Sequence, residues 1–266
     1  MRVKCFSLFV LSLLMMASCR GDDEIFIPEN VTVSTPEISG DILGFYLLNE
    51  GNMGSNKSTL DYYDYSTGVY TRNVYGNANP SVPKELGDVG NDIQIYGSKL
   101  YAVVNCSNKI EVVDVATTKR LGQINIPNCR YIKFHEGYAY VTSYAGPVEI
   151  NPNYEQKGYV AKIVTTTFEM VDRCIVGFQP DELEIVDGKI YVANSGGYMV
   201  PNYENTLSVI DVATFKEIER VPIAINLQCV TGDRYGGLWV SSRGDYYEEE
   251  QPTYHMPHAK NMIVSI

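Results

Sequence analysis

The segment VVDVATTK, Val112 to Lys119, returns 97 positions later as VIDVATFK, Val209 to Lys216. A word repeated this closely restricts a chain to architectures in which copies of one unit stack and bury their faces against their neighbours. Two periods of about 48 residues fill that interval, and a weaker copy, AKIVTTTF, stands midway at Ala161 to Phe168. A further copy, LDYYDYSTG, lies upstream at Leu60 to Gly68. Asp64, Asp114, Val164 and Asp211 fall in register, as do Thr67, Thr117, Thr167 and Thr214.

A second landmark accompanies the first. GFYLLN, KLYAVVN, YAYVTS, KIYVANS and GLWVSS repeat with aromatic anchors at Tyr46, Tyr101, Tyr140, Tyr191 and Trp239. Each unit therefore reads as a strand (KIYVANS), a variable loop, a second strand (LSVIDVA), a tight turn and a third strand (EIERVPI). A short strand such as DELEIV then leads to the next anchor. Apolar residues alternate at period two, and Asp with Thr suits the turn. No unit carries an apolar period of 3.6, which excludes a helical solenoid. The expected class is all-β: a β-propeller of four-stranded blades, with about five blades in this sequence.

Composition narrows the function. A net charge of −11 excludes a nucleic-acid surface, which needs clustered Lys and Arg to neutralise phosphates. Arg2 and Lys4 precede the apolar run FSLFVLSLLMMA, too short for an ordinary transmembrane helix, so residues 1–18 read as a signal peptide. The run ends in MASC, which resembles a bacterial lipobox and implies lipidation at Cys19. Residues 19–40, rich in Pro, Ser, Thr and acids, read as a tether, and 41–266 as the propeller domain. Cys106, Cys129, Cys174 and Cys229 match no metal spacing and are expected to be free thiols.

IYVANSG followed by LSVIDVAT resembles the YVTN-type seven-bladed propellers over about residues 42 to 266. Seven blades would need about two more repeats, so the resemblance implies a propeller truncated at its C-terminus. LLNEGNMGSNKSTLDYYD, Leu47 to Asp64, is similar to the opening of propeller lipoproteins on Bacteroidota cell surfaces. RGDDE after Cys19 resembles their surface-export signal. One branch of those lipoproteins captures cobalamin and passes it to a TonB-dependent outer-membrane transporter. The resemblance thus implies an outer-membrane, lipid-anchored protein exposed at the cell surface, with a cobalamin-like corrinoid as ligand and that transporter as partner.

Loop lengths place the site. Turns after the aspartate are uniformly tight, whereas the loops after the aromatic strand vary: 49–58, 105–108, 143–158, 194–205 and 242–261. These project on one face beside the links 86–92, 127–130, 177–182 and 226–229, and variation on one face of a rigid scaffold is how binding sites are built. Asn52, Tyr144, Tyr154, Tyr198, Tyr203, Arg243, Tyr246, Tyr247 and Tyr254 are the candidate ligand contacts. Tyrosine supplies contact area at low entropic cost with a hydroxyl to orient a ligand; the opposing reading is that these rings pack on each other. Pro152-Asn153-Tyr154 and Pro201-Asn202-Tyr203 recur at equal phase.

Enzyme motifs such as H-E-x-x-H and G-x-S-x-G are absent, so no catalytic residue, metal or cofactor is expected. His255 and His258 flank Pro257, and Asp245 with Glu248, Glu249 and Glu250 reads as a solvated acidic run. Two alternatives stay open. One is a protein- or glycan-binding scaffold; the other is a metal-dependent, lactonase-like hydrolase using Glu182 and Glu184, one strand period apart.

Overall fold

The structure, a computed structural model, describes residues 30–32, 42–245 and 262–264. Five antiparallel sheets follow one another along the chain. The second contains β5 (Gly90–Tyr96), β6 (Lys99–Val104), β7 (Lys109–Asp114) and β8 (Arg120–Asn125), paired in that order. The third repeats it with β9 (Cys129–His135), β10 (Tyr138–Ser143), β11 (Tyr159–Val164) and β12 (Met170–Ile175), and the fourth with β13 (Pro180–Val186), β14 (Lys189–Asn194), β15 (Thr206–Asp211) and β16 (Lys216–Pro222). The fifth holds β17 (Leu227–Gly232), β18 (Leu238–Ser242) and β19 (Met262–Val264). Each inner strand lies against the next, β5 on β9, β9 on β13 and β13 on β17, as blades around an axis do. The chain is a β-propeller.

The first sheet departs from this pattern. Its order is β1 (Asn30–Thr32), β4 (Val69–Thr71), β3 (Thr59–Asp64) and β2 (Gly44–Asn49). Three residues inside the segment expected as a tether thus pair with the outermost strand. Among the described residues no strand covers the free side of β2, where Phe45 and Leu47 are exposed. A short helix, α1 (Val74–Ala78), follows this blade and was not foreseen. Five residues cannot hold a helix in isolation. The Asn73 carboxamide caps it by accepting from Gly76 N at 3.0 Å, and burial of Tyr75 anchors it.

The repeated word is explained by a turn. Asp114 Oδ1 accepts from Ala116 N, Thr117 N and Thr117 Oγ1 at 3.1, 2.9 and 2.7 Å. Asp211 accepts from Thr214 N and Oγ1, both at 2.7 Å. Asp64 does the same with Ser66 and Thr67. These are local side-chain bonds that replace unmade ladder bonds. Where Val164 stands instead, the backbone bond from Phe168 N to Val164 O, 2.8 Å, still closes the turn.

The next position is left-handed in every copy: Gly68, Thr118, Phe168 and Phe215 have φ of 69, 53, 64 and 53°. Such φ strains bulky residues, and packing offsets it. The Phe168 ring meets Tyr101 of the preceding blade edge-on at 6.5 Å, and Phe215 meets Tyr140 at 5.7 Å. Tyr101 and Tyr140, two of the five aromatic anchors, are therefore buried blade-to-blade contacts, whereas the Trp239 anchor of the fifth sheet is exposed. All four cysteines in the described residues are free.

Candidate functional site: the channel mouth

At the loop end, each inner strand slips out of register with its partner. The ladder passes from Gly90 to Asp92, from Cys129 to Ile132, from Pro180 to Leu183 and from Leu227 to Val230. Such bulges re-aim the residues they release. The released residues are Asn91, Arg130 with Tyr131, Asp181 with Glu182, and Gln228 with Cys229. Hydroxyls of the neighbouring strand absorb the freed amides: Tyr131 N donates to Thr142 Oγ1 and Cys229 N to Ser241 Oγ, both at 3.1 Å. Just before each inner strand sits a left-handed residue, Val89, Asn128, Gln179 or Asn226. Its carbonyl accepts from the amide that opens the adjacent loop, at Asn105, Tyr144, Ser195 and Arg243.

These devices assemble a charged cluster from three blades. Asp181, fully buried, accepts from Arg130 Nε at 3.1 Å, from the Tyr144 hydroxyl at 2.9 Å and from Arg243 Nη1 at 3.4 Å. The Arg130 guanidinium also lies 5.0 Å from the centre of the Tyr144 ring, and Tyr144 meets Tyr198 edge-on at 6.4 Å. Burial works against the Arg130 charge, yet Tyr144 and Asp181 beside it hold its pKa above the ordinary guanidinium value. Burial, reinforced by the Asp181 charge, pushes the Tyr144 phenol well above its usual range. Two guanidiniums from different blades thus share one buried carboxylate. Arg243, with 28% of its side chain exposed, is the more accessible of the two.

Deeper in the channel, Lys133 Nζ approaches Glu184 at 3.1 Å and Glu182 at 3.9 Å. Burial raises the pKa of Glu182, as it does that of Asp92, whose carboxylate accepts from Ile132 N of the next inner strand at 2.9 Å. The two glutamates named as hydrolase candidates thus share an ammonium. Among the described residues no group of three or more His, Cys, Asp or Glu side chains could hold a metal.

The candidate tyrosines separate into different environments. Tyr144, Tyr198 and Arg243 come together at Asp181. Tyr154 is buried, its hydroxyl donating to Pro147 O at 3.2 Å, and so braces its own loop. Tyr203 is half-buried and Asn52 exposed. The two Pro-Asn-Tyr loops do meet: Asn202 Nδ2 donates to Pro152 O at 3.0 Å, and Asn151 N to Tyr198 O at 2.9 Å. Tyr246, Tyr247, Tyr254, His255, His258 and Cys19 lie outside the described residues.

Arg130, Asp181 and Gln179 were not singled out from the sequence. The signal was available: aligning PNCR with GFQPDE on the following strands puts Arg130 and Asp181 in one slot, with opposite charge. Gln179 accepts from Tyr198 N at 2.8 Å through Oε1, while its buried Nε2 has no partner among the described residues.

Residues 43–259 match the family described as "Domain of unknown function (DUF5074)", and the chain belongs to that family. A comparison with curated proteins gives no match. Among solved structures, the chain is similar to Kuenenia stuttgartiensis hydrazine synthase, with a TM-score of 0.58 and 14% identity over 87% of this chain and 65% of that one. It also resembles the computationally designed Ika8 protein, with a TM-score of 0.50 and 11% identity over 77% and 53% of the two chains. The chain thus spans less than two thirds of either relative. At these identities the likeness speaks to fold alone. No helix in the described residues is long and apolar enough to cross a membrane.

Proposed function

We propose that this protein is a non-catalytic, lipid-anchored surface receptor that captures a small ligand at the channel mouth, the ligand being cobalamin or a related corrinoid. The carrying observation is the Asp181 cluster, where Arg130 and the more accessible Arg243 converge from different blades on one buried carboxylate. A corrinoid carries an anionic phosphodiester beside many neutral amides. Arg243 suits the former, through the charge-assisted geometry that guanidiniums offer phosphates. The Tyr198 ring at the same mouth supplies contact area. Handing the ligand to a TonB-dependent outer-membrane transporter completes the reading, with Cys19 as anchor.

Cyanocobalamin added to the purified full-length protein tests it. Retained red colour after gel filtration, with affinity reduced about tenfold or more in Arg243→Ala, is the expected result. No retention, or equal affinity in the variant, overturns it. Replacement of Cys19 by Ala is expected to release the protein from membranes.

A further inference from the structure

A second concavity opens between the second and third blades, with a volume of about 670 Å³. The Ala145–Pro147 turn separates it from a neighbour of about 530 Å³. Both fall within the roughly 300–1,000 Å³ range of small-molecule sites. The first shares no lining residue with the Asp181 cluster. Its composition is unusual for a chain with a net charge of −11: none of the lining side chains is charged. Four are asparagines, Asn105, Asn108, Asn125 and Asn128.

These four divide by role. Asn105 and Asn128 are buried and stitch the walls together. Asn105 Nδ2 donates to Asn128 Oδ1 and, at 2.9 Å, to Cys129 O, while Asn128 Nδ2 donates to Gly146 O at 2.9 Å. Asn108 and Asn125 are exposed. Each uses its amide oxygen inside the protein: Asn108 Oδ1 accepts from Asn128 N at 2.7 Å, and Asn125 Oδ1 from Gln123 Nε2 at 2.5 Å. That bond fixes the carboxamide and leaves its NH₂ donors without a protein acceptor among the described residues. An anion here would be desolvated with no cation to compensate it, and a cation would find no carboxylate in the lining. Amide donors beside the apolar surface of Pro127 and Val148 match a neutral molecule that offers both oxygens and C–H faces.

We propose that this cleft is a binding site for a neutral oligosaccharide, held by Asn108 and Asn125. Sugar hydroxyls and ring oxygens accept from the two amides, and pyranose C–H faces lie on the aliphatic wall. The second concavity, lined by Asn151, Asn153 and Gln156 together with Glu149 and Glu155, adds carboxylate acceptors for sugar hydroxyls across the turn and accommodates further sugar units. Cys106 sits in the lining and reports occupancy.

The test uses the full-length protein with malto-, cello- and chito-oligosaccharides of two to six units, followed by calorimetry and by the rate of iodoacetamide alkylation at Cys106. At least one oligomer is expected to bind and to slow alkylation of Cys106 while leaving Cys229, in the channel, unaffected. The double variant Asn108→Asp, Asn125→Asp keeps both acceptor oxygens and hence the wall bonds, but loses both donors. It is expected to bind the oligomer about tenfold or more weakly, with an unchanged far-UV circular dichroism spectrum showing that the fold is kept. Arg243→Ala should leave oligosaccharide binding unchanged, which separates this site from the mouth. The proposal is overturned if no oligomer protects Cys106, or if the double variant binds as the wild type does.

Discussion

At the turn end of the blades, Asp64, Asp114 and Asp211 hold equivalent bonds to the residues two and three positions on. At the loop end the equivalent slot holds Asn91, Arg130, Asp181 and Gln228, four different side chains. The turn end is closed within each blade by bonds of its own, through an aspartate in three copies and through the backbone where Val164 stands. The loop end is solved between blades. Asp181 depends on Arg130 from one side and Arg243 from the other, and among the described residues such an arrangement exists once. Uniformity marks where the sequence builds the scaffold, and divergence marks the face where the ligand site is proposed.

The largest test of this contrast removes Asp181. Its replacement by Ala strands the Arg130 guanidinium in a buried site, and breaking a buried pair in this way costs about 3–5 kcal/mol. Urea unfolding should show the loss. A change below 1 kcal/mol would mean that the mouth contributes no structure and serves the ligand alone. On the turn end, Phe215→Ala removes a buried ring from the Tyr140 contact, with an expected cost of about 3 kcal/mol on the scale of core Phe truncations. Relief of the left-handed strain acts in the opposite direction, so a much smaller value would assign more of the balance to φ than to packing.

A subtler comparison uses two tyrosines of the loop face. Tyr154→Ala should lower stability by about 1–2 kcal/mol, since the ring is buried and its hydroxyl holds Pro147 O. Tyr198→Ala, at the mouth, should weaken cyanocobalamin retention with less effect on unfolding. The smallest effect belongs to Asp114→Asn. Hydrogen bonds from Thr117 and Ala116 hold the Asp114 carboxyl below its usual range. A depressed folded pKa gives stability that is complete above the unfolded value, near 3.8, and is lost as pH falls through the folded one. Wild type should therefore melt above the variant at pH 7, with the gap closing below about pH 4.

The scaffold was legible because its information is periodic. Five copies of an aromatic strand and four of a turn in register fix strand, turn and blade with no knowledge of what touches what. Helix α1 was not legible, since NVYGNA carries no helical period and is held by a cap and one buried ring. The site was readable only by face. Loop lengths led to Tyr144, Tyr198 and Arg243, but counting tyrosines could not separate Tyr154, which braces a loop, from Tyr198, which borders the cluster. Asp181 and Arg130 escaped because neither belongs to a motif. Their meaning lies in which strands slip register, and only aligning the links before successive inner strands, PNCR on GFQPDE, brings their opposite charges into one slot.

That slip has a bearing on how such a chain can change its ligand. Residues 91, 130, 181 and 228 sit where the pairing skips, so none of them owes its identity to a cross-strand partner in its own blade. A mutation there exchanges what the mouth offers without shifting a strand or turning an apolar row toward water. Asn91 and Gln228 behave as interchangeable fittings on a fixed frame, whereas Arg130 and Asp181 are exchanged together, since losing either one leaves a buried charge unpaired. Libraries confined to Asn91 and Gln228, or changing Arg130 and Asp181 as a pair, should return folded proteins far more often than libraries drawn from the aromatic strands beside them.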